Sequence, residues 1–181
     1  MKQVYILDTS ALLSVQQVLT FYSDTSQDID NIFFTTNDIV SEIKDQISKL
    51  RIESMISSNV LFVKDVKLSS IDFIDEQCKR IGNYDKLSIQ DRSILSLAWQ
   101  ERQTSEFNKI ILLTDDFEIQ NTAKILNLTF KSIRTKGIRY SAKFKKICLA
   151  CGENLDEEDK FCPECGSTKI TRKKIGLKKK K

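Results

Sequence analysis

An α/β fold with a mainly parallel five-stranded sheet flanked by helices, followed by a small cysteine-built module, is what this sequence predicts. Three observations carry it. Short runs of β-branched and aromatic residues alternate with amphipathic stretches from Met1 to about Arg134, and Gly and Pro are sparse there. Four of the five cysteines fall within 18 residues near the other end. Residues 136–181 hold 14 Lys or Arg against 6 Asp or Glu, so the overall charge of +4 conceals a basic second part and an acidic first part.

The five segments expected as buried strands are Val4 to Leu7, Ile32 to Thr35, Val60 to Val63, Ile110 to Thr114 and Thr129 to Ile133. Between the second and third, Ile39, Ile43, Ile47 and Leu50 form one helical stripe behind the N-cap candidate Asn37. A further helix starts near Ser69 and ends at Gly82, and Cys78 within it has no partner motif and reads as an ordinary buried residue. Ser88-x-x-Asp91 is a capping-box pattern; the helix it opens carries Ile94, Leu95, Ala98 and Trp99 and fades near Gln103, with Trp99 expected in the core. The last helix of the first part runs from about Asp116 to Leu126 and stops at Asn127. Strands alternating with helices imply βαβ crossovers, a mainly parallel sheet with helices on both faces, and ligands beyond the C-terminal strand ends.

Those ends are acidic. Asp8 follows the first strand, Asp115 and Asp116 follow the fourth, Glu42 lies one turn into the helix after the second, and Asp91 lies in the first turn after Ser88. Each has a local reading: Asp8, Asp91 and Asp116 as helix caps and Glu42 as a solvated face residue. Together at one rim they would repel one another unless a cation neutralised them, and hard oxygen donors suit Mg2+ or Mn2+. Such a site can activate water and steady the charge of a phosphodiester during hydrolysis. With no histidine in the chain, Ser/His/Asp triads, Cys/His pairs and His-ligated catalytic zinc are excluded.

Cys148-x2-Cys151 and Cys162-x2-Cys165, each followed by a glycine, form two knuckles spaced to close one four-thiolate Zn2+ site, which leaves no open position and makes the metal structural. Two disulfides or a thiol redox pair are the alternatives. No secretory signal is evident and no apolar run approaches a membrane span, so a soluble, cytoplasmic protein in a reducing compartment is expected. Lys136, Arg139, Lys143, Lys145 and Lys146, with Tyr140, Phe144 and Phe161 nearby, offer cations and stacking surfaces to RNA; the final lysines read equally as a solubilising tail. The expected division is 1–135 nuclease-like domain, 136–146 basic linker, 147–171 zinc ribbon and 172–181 basic tail.

The sequence resembles the PIN-domain nucleases at Ile6-Leu7-Asp8-Thr9-Ser10-Ala11, Val40-Ser41-Glu42-Ile43, Leu87-Ser88-Ile89-Gln90-Asp91 leading to Leu97-Ala98, and Leu113-Thr114-Asp115-Asp116. Thr114-Asp115-Asp116-Phe117 with Ile119-Gln120-Asn121, and Gly82-Asn83-Tyr84-Asp85-Lys86-Leu87-Ser88, are similar to the archaeal-type Nob family. Those ribosome-assembly endonucleases carry a zinc ribbon after the PIN domain and mature the 3′ end of small-subunit rRNA. The resemblance implies a PIN-like fold and a metal-binding quartet of Asp8, Glu42, Asp91 and either Asp115 or Asp116. It also implies an endoribonuclease acting with one or two metals on precursor small-subunit rRNA within a pre-ribosomal particle. Thr9, Ser10 and Thr114 are candidates to orient a water or a carboxylate. Asn83 stands where the family often has an acid, so one supporting contact departs from the family pattern. Rival readings are a toxin-type PIN ribonuclease, which would need no ribbon, and a non-catalytic rRNA-binding assembly factor, in which the acids tend to be lost. The oligomeric state is not readable from these residues.

Overall fold

The computed structural model describes residues 3–14, 18, 31–104, 107, 109–134 and 140–179. Its first part is a five-stranded, wholly parallel sheet in the order β3-β2-β1-β4-β5, with β1 (Gln3–Leu7) at the centre, β2 (Asn31–Thr35) and β3 (Leu61–Val63) to one side, and β4 (Lys109–Leu113) and β5 (Phe130–Lys131) to the other. The central strands are buried apolar runs because helices cover the sheet: Val4, Ile6, Leu7, Ile111, Leu112 and Leu113 are all fully buried. β5 is shorter than its sequence suggested, and after Lys131 the chain turns away from the sheet.

The helices are α1 (Thr9–Leu13), α2 (Asn37–Glu42), α3 (Gln46–Ser57), α4 (Leu68–Arg80), α5 (Ile89–Thr104) and α6 (Phe117–Ile125). The stripe from Ile39 to Leu50 is two helices, not one. Ile43 is extended (φ −71°, ψ 117°) and closes α2, and Asp45 then caps α3 by accepting from Ser48 N at 2.9 Å. The break turns Ile47 and Leu50 to solvent while Ile39 and Ile43 stay in the core. The cap of α2 is Thr36 and not Asn37: its Oγ1 accepts from Ile39 N, whereas the Asn37 side chain donates to Asp65. Elsewhere the periodicity is realised. Ile74 and Cys78 of α4 and Ile94, Leu95, Leu97 and Ala98 of α5 are buried, and Trp99 stacks on Phe73 with ring centroids 4.2 Å apart. Burial pushes the Cys78 thiol up to about 12, as suits an inert core residue.

Gly82 ends α4 in the left-handed region (φ 69°), with Gly82 N and Asn83 N donating back to Lys79 O and Cys78 O. The chain then makes a 3-10 turn (Tyr84–Lys86) before α5.

The second part is a three-stranded antiparallel sheet in the order β7-β6-β8, from β6 (Tyr140–Cys148), β7 (Asn154–Leu155) and β8 (Ile170–Lys179). Residues 140–146 and 172–179, expected as linker and tail, therefore pair with each other as strands that extend the ribbon. Its own apolar core is small: Cys148, Cys162 and Leu155 with Ile170 against them. The two parts meet around Gly82. Phe144 N donates to Ile81 O at 3.2 Å, Lys86 Nζ lies 3.7 Å over the Phe144 ring, and Arg172 bonds Gly82 O, Asp85 and Glu157. No helix among the described residues is long and apolar enough to cross a membrane.

Candidate nuclease and metal sites

β1 and β4 are neighbours in register, with Leu7 opposite Leu113, so the residues that follow them emerge side by side at the C-terminal edge. Asp8 is fully buried there and caps α1, its Oδ1 accepting from Ala11 N at 2.7 Å and Ser10 Oγ at 2.8 Å. Ser10 Oγ in turn accepts from Asp115 N at 3.1 Å, so one hydroxyl ties the two strand ends together across the sheet. Burial pushes the Asp8 carboxyl up to about 6 despite hydrogen bonds from Thr114, Ala11 and Ser10, and the negative charge of Asp115 pushes the same way. Thr9 Oγ1 donates to Glu42 Oε2 and so joins the end of α2 to the start of α1.

Asp115 points toward the segment after β5: its Oδ1 accepts from Ile133 N at 3.0 Å and Arg134 N at 3.2 Å, and Arg134 Nε lies 3.5 Å from Oδ2. Asp116 is exposed and caps α6, its Oδ1 accepting from Glu118 N at 2.7 Å and Ile119 N at 3.0 Å, while its own N–H donates to Thr114 Oγ1. Asp91 forms the capping box: Ser88 N donates to Asp91 Oδ2 at 2.8 Å and Asp91 N to Ser88 Oγ at 3.1 Å. α5 feeds β4, whose start lies at the opposite edge of the sheet, so the first turn of α5 sits at the acidic edge. The Arg92–Asp75 ion pair (2.9 Å) and the bond from Arg92 Nη1 to Leu87 O fix that turn against α4.

Asp8 and Asp115 are linked through Ser10 and Glu42 is linked to Thr9, whereas the carboxylates of Asp91 and Asp116 cap their own helices. None of these acids joins a set of three whose ligand atoms lie within 4.8 Å of one another, and among the described residues only the four cysteines do. An all-oxygen, anionic donor set with one desolvated member suits a hard divalent ion.

The cysteine set closes more tightly. Cys148 and Cys165 sulfurs are 3.5 Å apart, as are those of Cys151 and Cys162, and all four lie within 4.8 Å of one another. A tetrahedral ion with Zn–S bonds of about 2.3 Å has sulfurs at close to these separations, so the set fits zinc. The knuckles are built by Gly152 N and Gly166 N donating to Cys148 O and Cys162 O, both glycines having positive φ as their positions suggested. Hydrogen bonding, first from the Cys151 N–H, lowers the Cys148 thiol to about 6, while hydrogen bonds among the sulfurs hold the Cys151 and Cys165 thiols up, so within the set Cys148 loses its proton before those two.

Of the basic candidates, Lys136 and Arg139 lie outside the described residues, and Lys143 is described only as a member of β6. Lys145 is exposed. Lys146 is committed to the ribbon itself, donating to Glu157 O at 3.0 Å and Asp159 O at 2.5 Å. Arg172, which composition placed with the basic tail, is an internal bridge whose side chain is 17% exposed. Composition registers charge and not its partners, so neither commitment was readable. Arg134 at the acidic edge was missed for the same reason. Asn83 is fully buried and donates to Thr122 Oγ1 at 2.8 Å, joining the loop after α4 to α6.

Comparison with known proteins agrees with this architecture. Residues 5–100 match the family model described as the PIN domain of ribonuclease. The Endoribonuclease Nob1 of Archaeoglobus fulgidus is 30% identical over 171 residues, covering 94% of this chain and 92% of that protein. The Endoribonuclease Nob1 of Pyrococcus abyssi is 31% identical over 143 residues, covering 78% of this chain and 84% of its own length. The Ribonuclease VapC1 of Thermoplasma acidophilum is more distant, at 26% over 163 residues. Among solved structures, a chain of VapBC-1 from nontypeable Haemophilus influenzae superimposes with a TM-score of 0.52 at 12% identity, over 73% of this chain and 99% of that one, a likeness of fold alone. On the strength of the matched domain, the near full-length identity and the four-cysteine module, the chain belongs to the PIN-domain endoribonucleases of the Nob1 family.

Proposed function

We propose that the chain is a divalent-metal-dependent endoribonuclease that cleaves precursor small-subunit rRNA at its 3′ end within a pre-ribosomal particle. Asp8, Glu42, Asp91 and Asp115 or Asp116 would hold Mg2+ or Mn2+, one ion or two. The observation that carries the reading is the edge itself, where Asp8, carried by β1, and Asp115, following β4, are tied through Ser10, and Glu42 is tied to Thr9. When bound, the metal supplies an activated water and neutralises charge on the phosphoryl oxygens. The chain's own share is orientation. Ser10 and the Ala11 N–H hold Asp8 in one rotamer, the Thr9 hydroxyl holds Glu42, and the capping box holds Asp91. Asp115 is tied to Asp8 through Ser10 and lies close enough to act on its charge, which favours it as the fourth acid, with Asp116 serving as the cap of α6.

Zn2+ held by Cys148, Cys151, Cys162 and Cys165 would keep the ribbon folded, and Lys143 and Lys145, with Lys136 and Arg139, would contact RNA phosphates. Lys146 enters this reading as a strut of the ribbon. Purified protein incubated with a precursor rRNA fragment in Mn2+ or Mg2+ should yield one discrete cut, and Asp8→Asn and Asp91→Asn should each lower its rate at least 100-fold with folding intact. Cleavage at the unmutated rate in both variants would overturn the assignment.

A further inference from the structure

We infer that Phe117 is a stacking platform for an unpaired nucleobase beside the acidic edge, so that the enzyme holds its substrate by a base as well as by its phosphates. This rests on the proposed RNA substrate at the same edge. Phe117 is the first residue of α6, directly after the cap Asp116, and is 55% exposed. The helix beyond it is buried on all sides, from Ile119 through Gln120, Asn121 and Thr122 to Ala123, and Phe117 at its first position stands clear of that packing. Packing of α6 therefore gives no reason for an aromatic at this position. The ring is left in water two residues after Asp115, which follows the end of β4.

The surroundings favour a nucleotide as the occupant. The neighbours of Phe117 in sequence anchor two cations, Arg134 on Asp115 (3.5 Å) and Lys86 on Glu118 (3.4 Å). The Arg134 side chain is 55% exposed and can reach phosphates that the acids alone would repel. Ile89, 67% exposed and two residues before Asp91, is a second bare apolar side chain. An aromatic face flanked by cations is how unpaired nucleotides are held, since every base offers a π-face and the backbone beside it needs positive charge. The Asp116 carboxylate clamps the first turn of α6, so the ring is presented from a rigid element and little order is lost on stacking.

The test uses the full chain and a single-stranded oligoribonucleotide spanning the cut, with 2-aminopurine at successive positions around it. The unmutated protein should quench the fluorophore at one position. Phe117→Leu should abolish that quench and raise KM by roughly tenfold or more with kcat nearly kept, while Phe117→Trp restores both. An abasic nucleotide at the quenched position should penalise the unmutated protein and leave Phe117→Leu unaffected. Equal quench and equal KM in the unmutated and Phe117→Leu proteins would overturn the inference. Because quenching needs no cleavage, a chain that binds but does not cut defeats the nuclease reading and leaves the stacking reading to be judged separately. Melting of Phe117→Leu should match the unmutated protein, which separates a lost platform from a damaged fold.

Discussion

Asp8 combines two demands that pull against each other. As a cap it is wanted charged and hydrogen-bonded; as a buried group beside Asp115 it is wanted neutral, and the second demand prevails. Its carboxyl is raised from an ordinary 3.8 to about 6, so the folded state holds a proton that the unfolded chain releases. Asp8 therefore takes stability away as pH rises from about 4 to about 6, and the whole penalty, at most about 3 kcal/mol, stands at neutral pH. Asp8→Asn keeps the cap and removes the charge, so in metal-free buffer it should melt a few degrees above the unmutated protein at pH 7.5 and level with it at pH 3.5. Saturating Mn2+ should reverse the order at pH 7.5, because only the carboxylate gains from the ion. Calorimetry under these conditions checks the sign, and a variant that melts lower at pH 7.5 without metal would contradict the burial argument. Residues like Asp8, Asp91 and Asp116 were readable from sequence because a cap and a strand end are local patterns. Arg134 and Arg172 were not, because their partners Asp115, Asp85, Gly82 and Glu157 lie between 15 and 90 positions away.

At the scale of elements, periodicity located the apolar faces well and the boundaries less well. The helix after β2 shows why. Ile39, Ile43, Ile47 and Leu50 fit one stripe, but a stripe does not reveal that Asp45 offers a second cap and that extended Ile43 ends the first turn pair. The correction matters to the site, since ending α2 at Glu42 puts that acid at a helix terminus, where Thr9 reaches it. The cap assignment can be tested directly. Thr36→Ala should destabilise the fold by about 1 kcal/mol, because buried Oγ1 satisfies the Ile39 N–H, whereas exposed Asn37→Ala should change it by less than about 0.5 kcal/mol. Equal effects in urea melts would return the cap to Asn37. The capping box at Ser88 and the stop at Asn127 (φ 56°) were readable in advance because each is written in residues that have few other uses.

For the molecule as a whole, the ribbon contributes little apolar core of its own, so on the proposed reading a metal on its four cysteines and the contacts with the nuclease domain would hold it. Cys148→Ser with Cys162→Ser should take bound zinc from about one per chain to none and lower the melting of the ribbon strands, as metal analysis and circular dichroism would report. The seam is narrow and sits on one residue without a side chain. A Cβ at Gly82 would fall 2.6 Å from Phe144 O, and φ of 69° already disfavours one. Gly82→Ala should therefore cost roughly 1 to 2 kcal/mol and split one melting transition into two, with a single unshifted transition counting against it. Beside that glycine, a peptide N–H meets a peptide carbonyl, so the alignment of the two parts depends on room being left at Gly82 as well as on the Arg172–Asp85 pair and on Lys86 over the Phe144 ring. If the ribbon grips RNA while the acidic edge cuts it, that vacancy makes the protein a ruler. The distance from grip to cut is set by a missing methyl group, and filling the space should scatter the cut over neighbouring nucleotides, visible in the sequenced ends of the product, before it slows the cutting itself.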